Sequence, residues 1–239
     1  MDRELITISE AAKLLDVSID TLRRWDEKGQ LKSVRSEGGH RYYSKEQIEN
    51  YSNDIFKLAK NWVSNKTEIS VQFYCSDSST FQARLIKMSN ELSLTSDKNL
   101  KNNFSLVVAI AGEIGNNSFD HNLGNWPDEP GVFFGFDLSK RQIILADRGQ
   151  GVLQTLKQVK PELVDDSSAL IVAFTEIISG RAPEERGNGL KFVRKVVERN
   201  DMKLFFKSGN AELKVSKESP LSIIKSDISI RGCLVLIRF

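Results

Sequence analysis

The chain has 239 residues, of which 40% are hydrophobic and 28% charged, as is typical of a globular protein with one large domain or a small and a mid-sized one. No apolar run approaches the roughly 20 residues that cross a bilayer, and the opening "MDRELITISE" has no apolar signal core. Cys75 and Cys233 form neither a disulfide framework nor a metal motif, and the net charge of +2 excludes nothing. We therefore expect a cytoplasmic protein without membrane contact.

Two short helices are predicted at the start of the chain, in "ITISEAAKLLDVSIDTLRRWDEKGQL". Ser18 is a candidate N-cap of the second helix, and Gly29 is placed to end it. Leu22 and Trp25 lie on one side of this helix and are expected to be buried. The side chains predicted to point outward are Thr21, Arg23, Arg24 and Lys28.

The following stretch, "LKSVRSEGGHRYYSKEQI", predicts two extended pieces around Gly38 and Gly39 and then a helix. Residues 23–45 hold seven basic side chains and three acidic ones. This excess of positive charge is modest, but other features of the segment also suggest that it contacts phosphate groups. A helix-turn-helix followed by a wing is the expected arrangement of residues 1–51. A small helical domain with a solvated basic face is the alternative.

Residues 5 to about 51 closely resemble the MerR and excisionase-like DNA-binding domain. The resemblance implies that the second helix enters the major groove of double-stranded DNA and that the wing meets its backbone. Outward arginines on a short helix suit guanine edges and phosphates. By resemblance, the DNA-binding residues are Thr21, Arg23 and Arg24 on the helix, and Arg41 and Tyr42 on the wing.

Residues 52–67 are interpreted as a connecting helix or linker. A seam of about two heptads begins just before them, with apolar side chains at steps of three and four. MerR relatives dimerise through a helix placed here, which would make a homodimer; the alternative is that the seam packs on a flanking domain. The seam residues are Ile48, Tyr51, Ile55, Leu58 and Trp62.

Residues 68–239 predict an α+β domain with a mixed sheet and helices on one face. "ISVQFYC" is predicted as a strand, "TFQARLIKMSNEL" as a helix and "KNNFSLVVAIAGEIGNNSFDHN" as a long helix. Two strands, "GVFFGFDL" and "RQIILADRG", and two helices, "SALIVAFTEII" and "GLKFVRKVVERN", follow. The tail predicts four strands, "KLFFKS", "AELKVS", "LSIIKSD" and "CLVLIRF".

Three polar fragments interrupt this domain. Glu113, Asn117 and His121 follow one another at four-residue steps, so they leave the long helix from nearly one stripe. "ADRGQG" follows an apolar strand, and "ERGNGL" precedes a helix. Taken singly, each fragment is more often a solvated helix face, a turn or an N-cap. The residues of the second and third fragments that we select are Asp147, Gly149 and Gly151, and Arg186, Gly187, Gly189 and Leu190.

In order and spacing, the three fragments resemble the N, G1 and G2 boxes of the GHKL superfamily, most closely those of the anti-sigma-factor serine kinases. The resemblance covers about residues 68–239 and implies a Bergerat α/β sandwich that binds ATP and Mg²⁺. Where the family often has a Gly-Thr pair before its last strand, this chain has Gly232 and Cys233, which puts that contact in doubt. The segment 152–186 is expected to form a lid, with Lys157, Lys160, Arg181 or Arg186 reaching the γ-phosphate; a solvated charge is the alternative for each.

The chemistry of the selected residues agrees with a nucleotide site. Asn117 offers an amide oxygen to Mg²⁺, which prefers oxygen ligands, and Glu113 is placed to orient a water or accept a proton. Asp147 should accept a hydrogen bond from the adenine amino group, so ATP is expected to bind better than GTP. Gly149 and Gly151 let the backbone approach the base. For the phosphates, Gly187, Gly189 and Leu190 open a helix N-terminus; His121 either joins the site or only closes its helix.

Two hypotheses for function follow. In the first, the chain is a DNA-binding transcriptional regulator whose GHKL domain binds, and slowly hydrolyses, Mg-ATP as a switch. In the second, it is a serine protein kinase acting on a partner such as a STAS-like protein. A histidine kinase is excluded because His40 and His121 do not lie on a dimerisation helix ahead of the ATP domain. A catalytically dead fold that only binds partners is disfavoured by Glu113, Asn117 and Asp147.

Overall fold

The structure is a computed structural model that describes residues 4–15, 17–27, 29, 31–52, 54–65, 68–176 and 189–239. The chain divides into two compact units, Met1–Ser70 and Val71–Phe239, each with a hydrophobic core of its own. No helix in the described part of the chain has the length and apolar character needed to cross a membrane.

The N-terminal unit is a helix-turn-helix with a three-stranded antiparallel sheet in the order β1-β3-β2. The predicted helices and wing are thus present. The core consists of Ala11, Ala12, Leu15, Leu22, Trp25, Leu31, Tyr43, Ile48 and Tyr51. The elements of this unit are β1 (Leu5–Thr7), α1 (Ile8–Leu15), α2 (Ile19–Glu27), β2 (Val34–Arg35), β3 (Arg41–Ser44), α3 (Lys45–Ser52) and α4 (Ile55–Asn65).

The ends of α2 are where the sequence predicts them. Ser18 Oγ accepts a hydrogen bond from the Thr21 backbone N–H at 3.1 Å and so caps the first turn. Gly29, at φ +72°, follows the helix. The prediction that Thr21 points outward is wrong: its side chain is buried, because its hydroxyl lies 2.9 Å from Ser18 Oγ within the cap.

The heptad seam runs over two helices. α3 ends at Ser52 and α4 begins at Ile55. At the start of α4, Asp54 Oδ1 accepts a hydrogen bond from the Lys57 N–H at 3.1 Å. Ile48 and Tyr51 belong to the core of the N-terminal unit, and Leu58 packs against that core. These three residues favour packing within the chain, and the homodimer stays a prediction.

The C-terminal unit is built around a five-stranded sheet in the order β4-β5-β6-β8-β7. It is α+β, as predicted. Its elements are β4 (Tyr74–Cys75), α5 (Ser78–Ser93), α6 (Lys98–Asn122), β5 (Val132–Asp137), β6 (Gln142–Asp147), α7 (Gly151–Lys157), α8 (Asp166–Thr175), α9 (Gly189–Arg199), β7 (Lys203–Ser216) and β8 (Ser222–Arg238).

The mixed sheet predicted from the sequence is wrong, since every strand pair in the described residues is antiparallel. The reason is the position of β8, which turns back from β7 and inserts between β6 and β7. The four predicted tail strands are two long ones, because register shifts around Gly209 distort the β7–β8 ladder without ending it. At the other edge, only Tyr74–Cys75 of the predicted "ISVQFYC" strand is paired.

One face of the sheet carries the main core. α5, α6, α8 and α9 pack against the same face, where alternate strand residues such as Phe134, Leu145 and Val235 meet them. The apolar side of α6 is buried in this layer, as predicted, through residues that include Ile110 and Ile114. The polar stripe of α6 is therefore turned away from the centre of the core.

Candidate functional site

A polar row crosses the helix-facing side of the sheet at one end. Asp147 on β6 is directly opposite Cys233 on β8, which is directly opposite Ser208 on β7. α6 lies over this row, and Ser118 Oγ on that helix donates a hydrogen bond to Asp147 Oδ2 at 2.7 Å. The long helix and the end of β6 thus meet at Asp147.

Asp147 is enclosed at 2% exposure. Besides Ser118, the Gly149 N–H donates to its Oδ1 at 2.9 Å. Burial raises the pKa of the Asp147 carboxyl above its ordinary value, and the hydrogen bonds act in the opposite direction. Burial and the nearby carboxylate raise the pKa of the Cys233 thiol well above its ordinary value. Gly232, at φ +73°, has no room for a side chain, because a Cβ there would lie 2.2 Å from the Asp147 carbonyl oxygen.

The turn after β6 is fastened to α6 by Asn122. Asn122 Oδ1 accepts the Gln150 N–H at 2.7 Å, and its Nδ2 donates to the Ser118 carbonyl at 2.8 Å. A Cβ on Gly149 would lie 2.2 Å from Asn122 Nδ2, so only glycine fits this approach. Gly151 has φ +77°, a left-handed conformation that favours glycine.

The polar stripe of α6 meets the start of α9. A Cβ on Gly189 would lie 2.6 Å from Glu113 Oε2 and 3.5 Å from Asn117 Nδ2. Glu113 is exposed and Asn117 half-buried. His121 is exposed in the last turn of α6, where its carbonyl accepts a hydrogen bond from Gln150 Nε2 at 3.2 Å. The structure therefore brings together the stripe, the turn after β6 and the N-terminus of α9.

The other predicted nucleotide residues fall into three groups. Leu190 is half-buried and packs against the main core. Lys157 is exposed, whereas Lys160 pairs with Glu176. Outside the described residues lie Arg181, Arg186 and Gly187.

Sequence reasoning missed three residues of this site. Ser118 is three residues before His121 and four before Asn122, so helical spacing alone would have placed Ser118 and Asn122 together beside the His121 end of the predicted stripe. Ser208 carries no such signal. Its hydroxyl accepts the Val152 N–H at 3.0 Å and donates to the Gly232 carbonyl at 3.1 Å, contacts that depend on the register of the sheet.

The donor and acceptor set is compatible with Mg-ATP. Asp147 accepts hydrogen bonds from Ser118 and Gly149, and the backbone N–H and thiol of Cys233 add two more. Because an ionised carboxylate has about four acceptor positions, an adenine amino group would have to take the place of one of these donors. A Cβ at Gly189 would have to displace the Glu113 carboxylate, the far end of an exposed and flexible side chain, and would be in ordinary contact with Asn117. The described residues contain no group of three or more His, Cys, Asp or Glu side chains placed to hold a metal. Mg²⁺ would therefore depend on Asn117 together with phosphate oxygens and water.

In the N-terminal unit, the predicted DNA-binding residues differ in exposure. Arg23 and Arg24 are exposed on α2, and Arg23 pairs with Asp20 at 2.8 Å. Tyr42 is half-buried in the middle strand of the small sheet, between Thr7 and Val34. Two cations on one helix face and an aromatic ring on the wing thus keep contact with solvent.

Arg41 is held inside the unit. Its Nε donates to Asp26 Oδ2 at 2.8 Å, and its Nη2 lies 3.6 Å from Glu27 Oε1. Asp26 Oδ1 accepts the Ser33 N–H at 2.9 Å. Burial acts to raise the pKa of the Asp26 carboxyl, but the hydrogen bonds from Ser33 and Arg41 outweigh it and lower the pKa to about 2.

Residues 7–43 match the family model described as MerR family regulatory protein. The N-terminal unit contains a MerR-family helix-turn-helix domain. The chain is also 41% identical over 75 residues to the type II methyltransferase M.Eco47II of Escherichia coli, a stretch covering 31% of this chain and 18% of that protein. It is 37% identical over 67 residues to the HTH-type transcriptional regulators MlrA of Salmonella typhimurium and Escherichia coli, which covers 28% of this chain and 26% of each regulator. The match thus spans about a quarter or less of these relatives.

Proposed function

We propose that the chain is a DNA-binding transcriptional regulator. The observation that carries this proposal is the MerR-family match over residues 7–43, on a unit that has the winged helix-turn-helix architecture. The exposed Arg23 and Arg24 on α2 support it, because guanidinium groups suit both base edges and phosphates. The similarity to the MlrA regulators supports the same class of function.

This proposal is tested by selecting duplexes from a random pool with the full chain and measuring their affinity against salt concentration. Arg23→Ala and Arg24→Ala should each weaken binding, and a lost phosphate contact should lower the salt slope by about 0.9. Lys57→Ala, which changes an exposed cation on α4, is the control. If no duplex is enriched, the proposal is overturned.

We further propose that the C-terminal unit is a GHKL-type domain that binds and slowly hydrolyses Mg-ATP as a switch. The approach of Gly189 to Glu113 and Asn117 supports this, because it aligns a helix N-terminus with a carboxylate and an amide. The buried Asp147 beside the turn of Gly149 and Gly151 supports an adenine-binding end. In this proposal Asn117 binds Mg²⁺, Glu113 orients the attacking water, and Asp147 accepts the adenine amino group.

Calorimetry with Mg-ATP, together with phosphate release, tests the switch. The wild type should bind ATP more tightly than GTP, Asp147→Asn should abolish binding, and Glu113→Ala should retain binding but lose turnover. A wild type that binds no nucleotide overturns the proposal. ATP binding without phosphate release favours the alternative, a serine kinase that requires a partner such as a STAS-like protein.

A further inference from the structure

One buried carboxylate joins the wing to the second helix of the helix-turn-helix. Asp26, near the end of α2, is 7% exposed. Its Oδ2 lies 2.8 Å from Arg41 Nε on β3 and 3.6 Å from Arg35 Nη2 on β2. Its Oδ1 accepts the backbone N–H of Ser33, just ahead of β2. One side chain of α2 thus contacts both wing strands and the segment that leads into them.

The two wing arginines depend on this carboxylate. Arg35 and Arg41 are directly opposite each other in the β2–β3 pair. Like charges in directly opposite positions destabilise an antiparallel pair. Both guanidinium groups reach the same oxygen of Asp26, which compensates their repulsion. Without Asp26, the two arginines would lose the carboxylate oxygen that they share, and Glu27 pairs with Arg41 but not with Arg35.

The two arginines differ in how far they are engaged. The Arg41 side chain is 17% exposed and contacts both Asp26 and Glu27. The Arg35 side chain is 54% exposed and reaches Asp26 only at 3.6 Å. If Arg41 turned to a DNA phosphate, it would give up the short hydrogen bond to a buried carboxylate, and leaving one partner of such a pair uncompensated is costly. Arg35 can reach outward without breaking that bond.

We propose that Asp26 and Arg41 are positioning residues that fix the wing on α2, and that Arg35, rather than Arg41, is the wing cation that meets a DNA phosphate. This inference rests on the proposed DNA-binding function. It also separates the two arginines, which sequence resemblance alone does not do, since that resemblance selects Arg41.

The test measures the affinity of the full chain for one duplex, recovered by in vitro selection from a random pool, over a series of KCl concentrations. Each phosphate contact contributes about 0.9 to the slope of log K against log salt. Arg35→Ala should lower the slope by about this amount. Arg41→Ala and Asp26→Asn should weaken binding by roughly tenfold while leaving the slope unchanged, because they displace the wing without removing a phosphate contact. Arg35→Ala and Arg41→Ala are matched controls, since they remove the same group from facing positions.

Lysine variants and a double variant sharpen the test. Arg35→Lys should retain most of the affinity because a phosphate needs only a cation, whereas Arg41→Lys should behave like Arg41→Ala because the ammonium cannot reproduce the planar guanidinium contacts. The double variant Asp26→Asn with Arg41→Ala should bind no more weakly than the weaker single variant. An Arg41→Ala slope that falls as much as that of Arg35→Ala, or additive losses in the double variant, overturns the inference.

Hydrogen exchange separates this inference from the proposal on which it rests. In Asp26→Asn and Arg41→Ala, the amides of Ser33, Ser36 and His40 should exchange faster than in the wild type, while the α1 amides should be unchanged. A wild type that enriches no duplex overturns DNA binding, and with it the role of Arg35. Unchanged wing exchange in both variants overturns the positioning role, whatever the DNA measurement gives.

Discussion

At the scale of single residues, Gly115 on α6 leaves no room for a side chain. A Cβ there would lie 2.1 Å from Cζ of Phe81, a fully buried ring that also packs edge-on against Phe134 at 5.2 Å. We expect Gly115→Ala to lower the free energy of unfolding by about 1–3 kcal/mol, because the ring cannot move without disturbing the core. Urea denaturation measures this change.

Gly112 on the same helix provides the control. A Cβ at Gly112 would lie 3.2 Å from Cδ2 of Leu85, the far end of a flexible side chain. Both substitutions gain about 1 kcal/mol of helix propensity, so the difference between Gly112→Ala and Gly115→Ala isolates the contact with Phe81. If Gly115→Ala is as stable as Gly112→Ala, the close approach of ring and helix is wrong.

Asp147 makes the stability of the C-terminal unit depend on pH. Burial raises the pKa of its carboxyl above 3.8 in the folded state. A carboxyl with a raised folded-state pKa contributes stability below its unfolded pKa and loses that contribution as pH rises through the folded pKa. Asp147→Asn has no such loss. We therefore expect Asp147→Asn to gain stability relative to the wild type as pH rises above about 4, the ordinary pKa of an aspartate. Urea denaturation measures this gain, and a difference that stays constant with pH contradicts the buried charge.

How much of the site could be predicted depends on the kind of pattern each residue belongs to. Glu113 and Asn117 were predicted to share a stripe because helical spacing fixes it, and the structure places both beside Gly189. Ser208 was missed because its contact with Val152 spans 56 residues and depends on strand register. Thr21 was misplaced because its cap with Ser18 turns the hydroxyl inward.

At the scale of elements, Asn122 is the connection between α6 and the turn after β6. Its side chain accepts a hydrogen bond from the Gln150 N–H in the turn after β6 and donates one to the Ser118 carbonyl on α6. Asn122→Ala would leave the Gln150 N–H without this acceptor, and we expect a loss of about 1–3 kcal/mol in the free energy of unfolding. Hydrogen exchange should show faster exchange at Gln150.

Asn125→Ala is the matched control for this prediction. Asn125 lies in the exposed loop after α6, where its Nδ2 donates only to the Leu123 carbonyl at 3.3 Å. Removing the same amide group there should change stability by less than about 0.5 kcal/mol. Equal losses in Asn122→Ala and Asn125→Ala would show that Asn122 does not fasten the turn.

The elements themselves were more accessible from sequence than their arrangement. The long α6 was predicted from its mostly apolar first half and from the polar residues at four-residue steps in its second half, and its apolar side is buried. The direction of the strands was predicted wrongly because local patterns do not reveal that β8 inserts between β6 and β7. The bulged hairpin of β7 and β8 was divided into four strands because Gly209 and Gly232 look like turn residues when only neighbouring residues are considered.

At the scale of the whole molecule, each unit has its own core, so a ligand of one unit should protect that unit first. If the C-terminal unit binds Mg-ATP, a concentration of 100 times the dissociation constant should add about 2.7 kcal/mol to its stability. Hydrogen exchange should show the gain in residues 71–176 and 189–239, with GTP at the same concentration as the control. Protection by both nucleotides alike would contradict an adenine-selective Asp147.

A switch requires more than the binding of ATP and of DNA, because the two sites must be coupled. The factor by which ATP changes the affinity for DNA must equal the factor by which DNA changes the affinity for ATP. If saturating Mg-ATP changes the affinity for a selected duplex by roughly tenfold, the same duplex must change the affinity for ATP by the same factor, a coupling of about 1.4 kcal/mol. Calorimetric titration of ATP with and without the duplex measures one side, and anisotropy measures the other. Asp147→Asn should lose both effects while still binding DNA. Two binding activities without coupling would make the C-terminal unit an independent ATP-binding domain joined to the MerR-family domain, and the switch hypothesis would then be wrong.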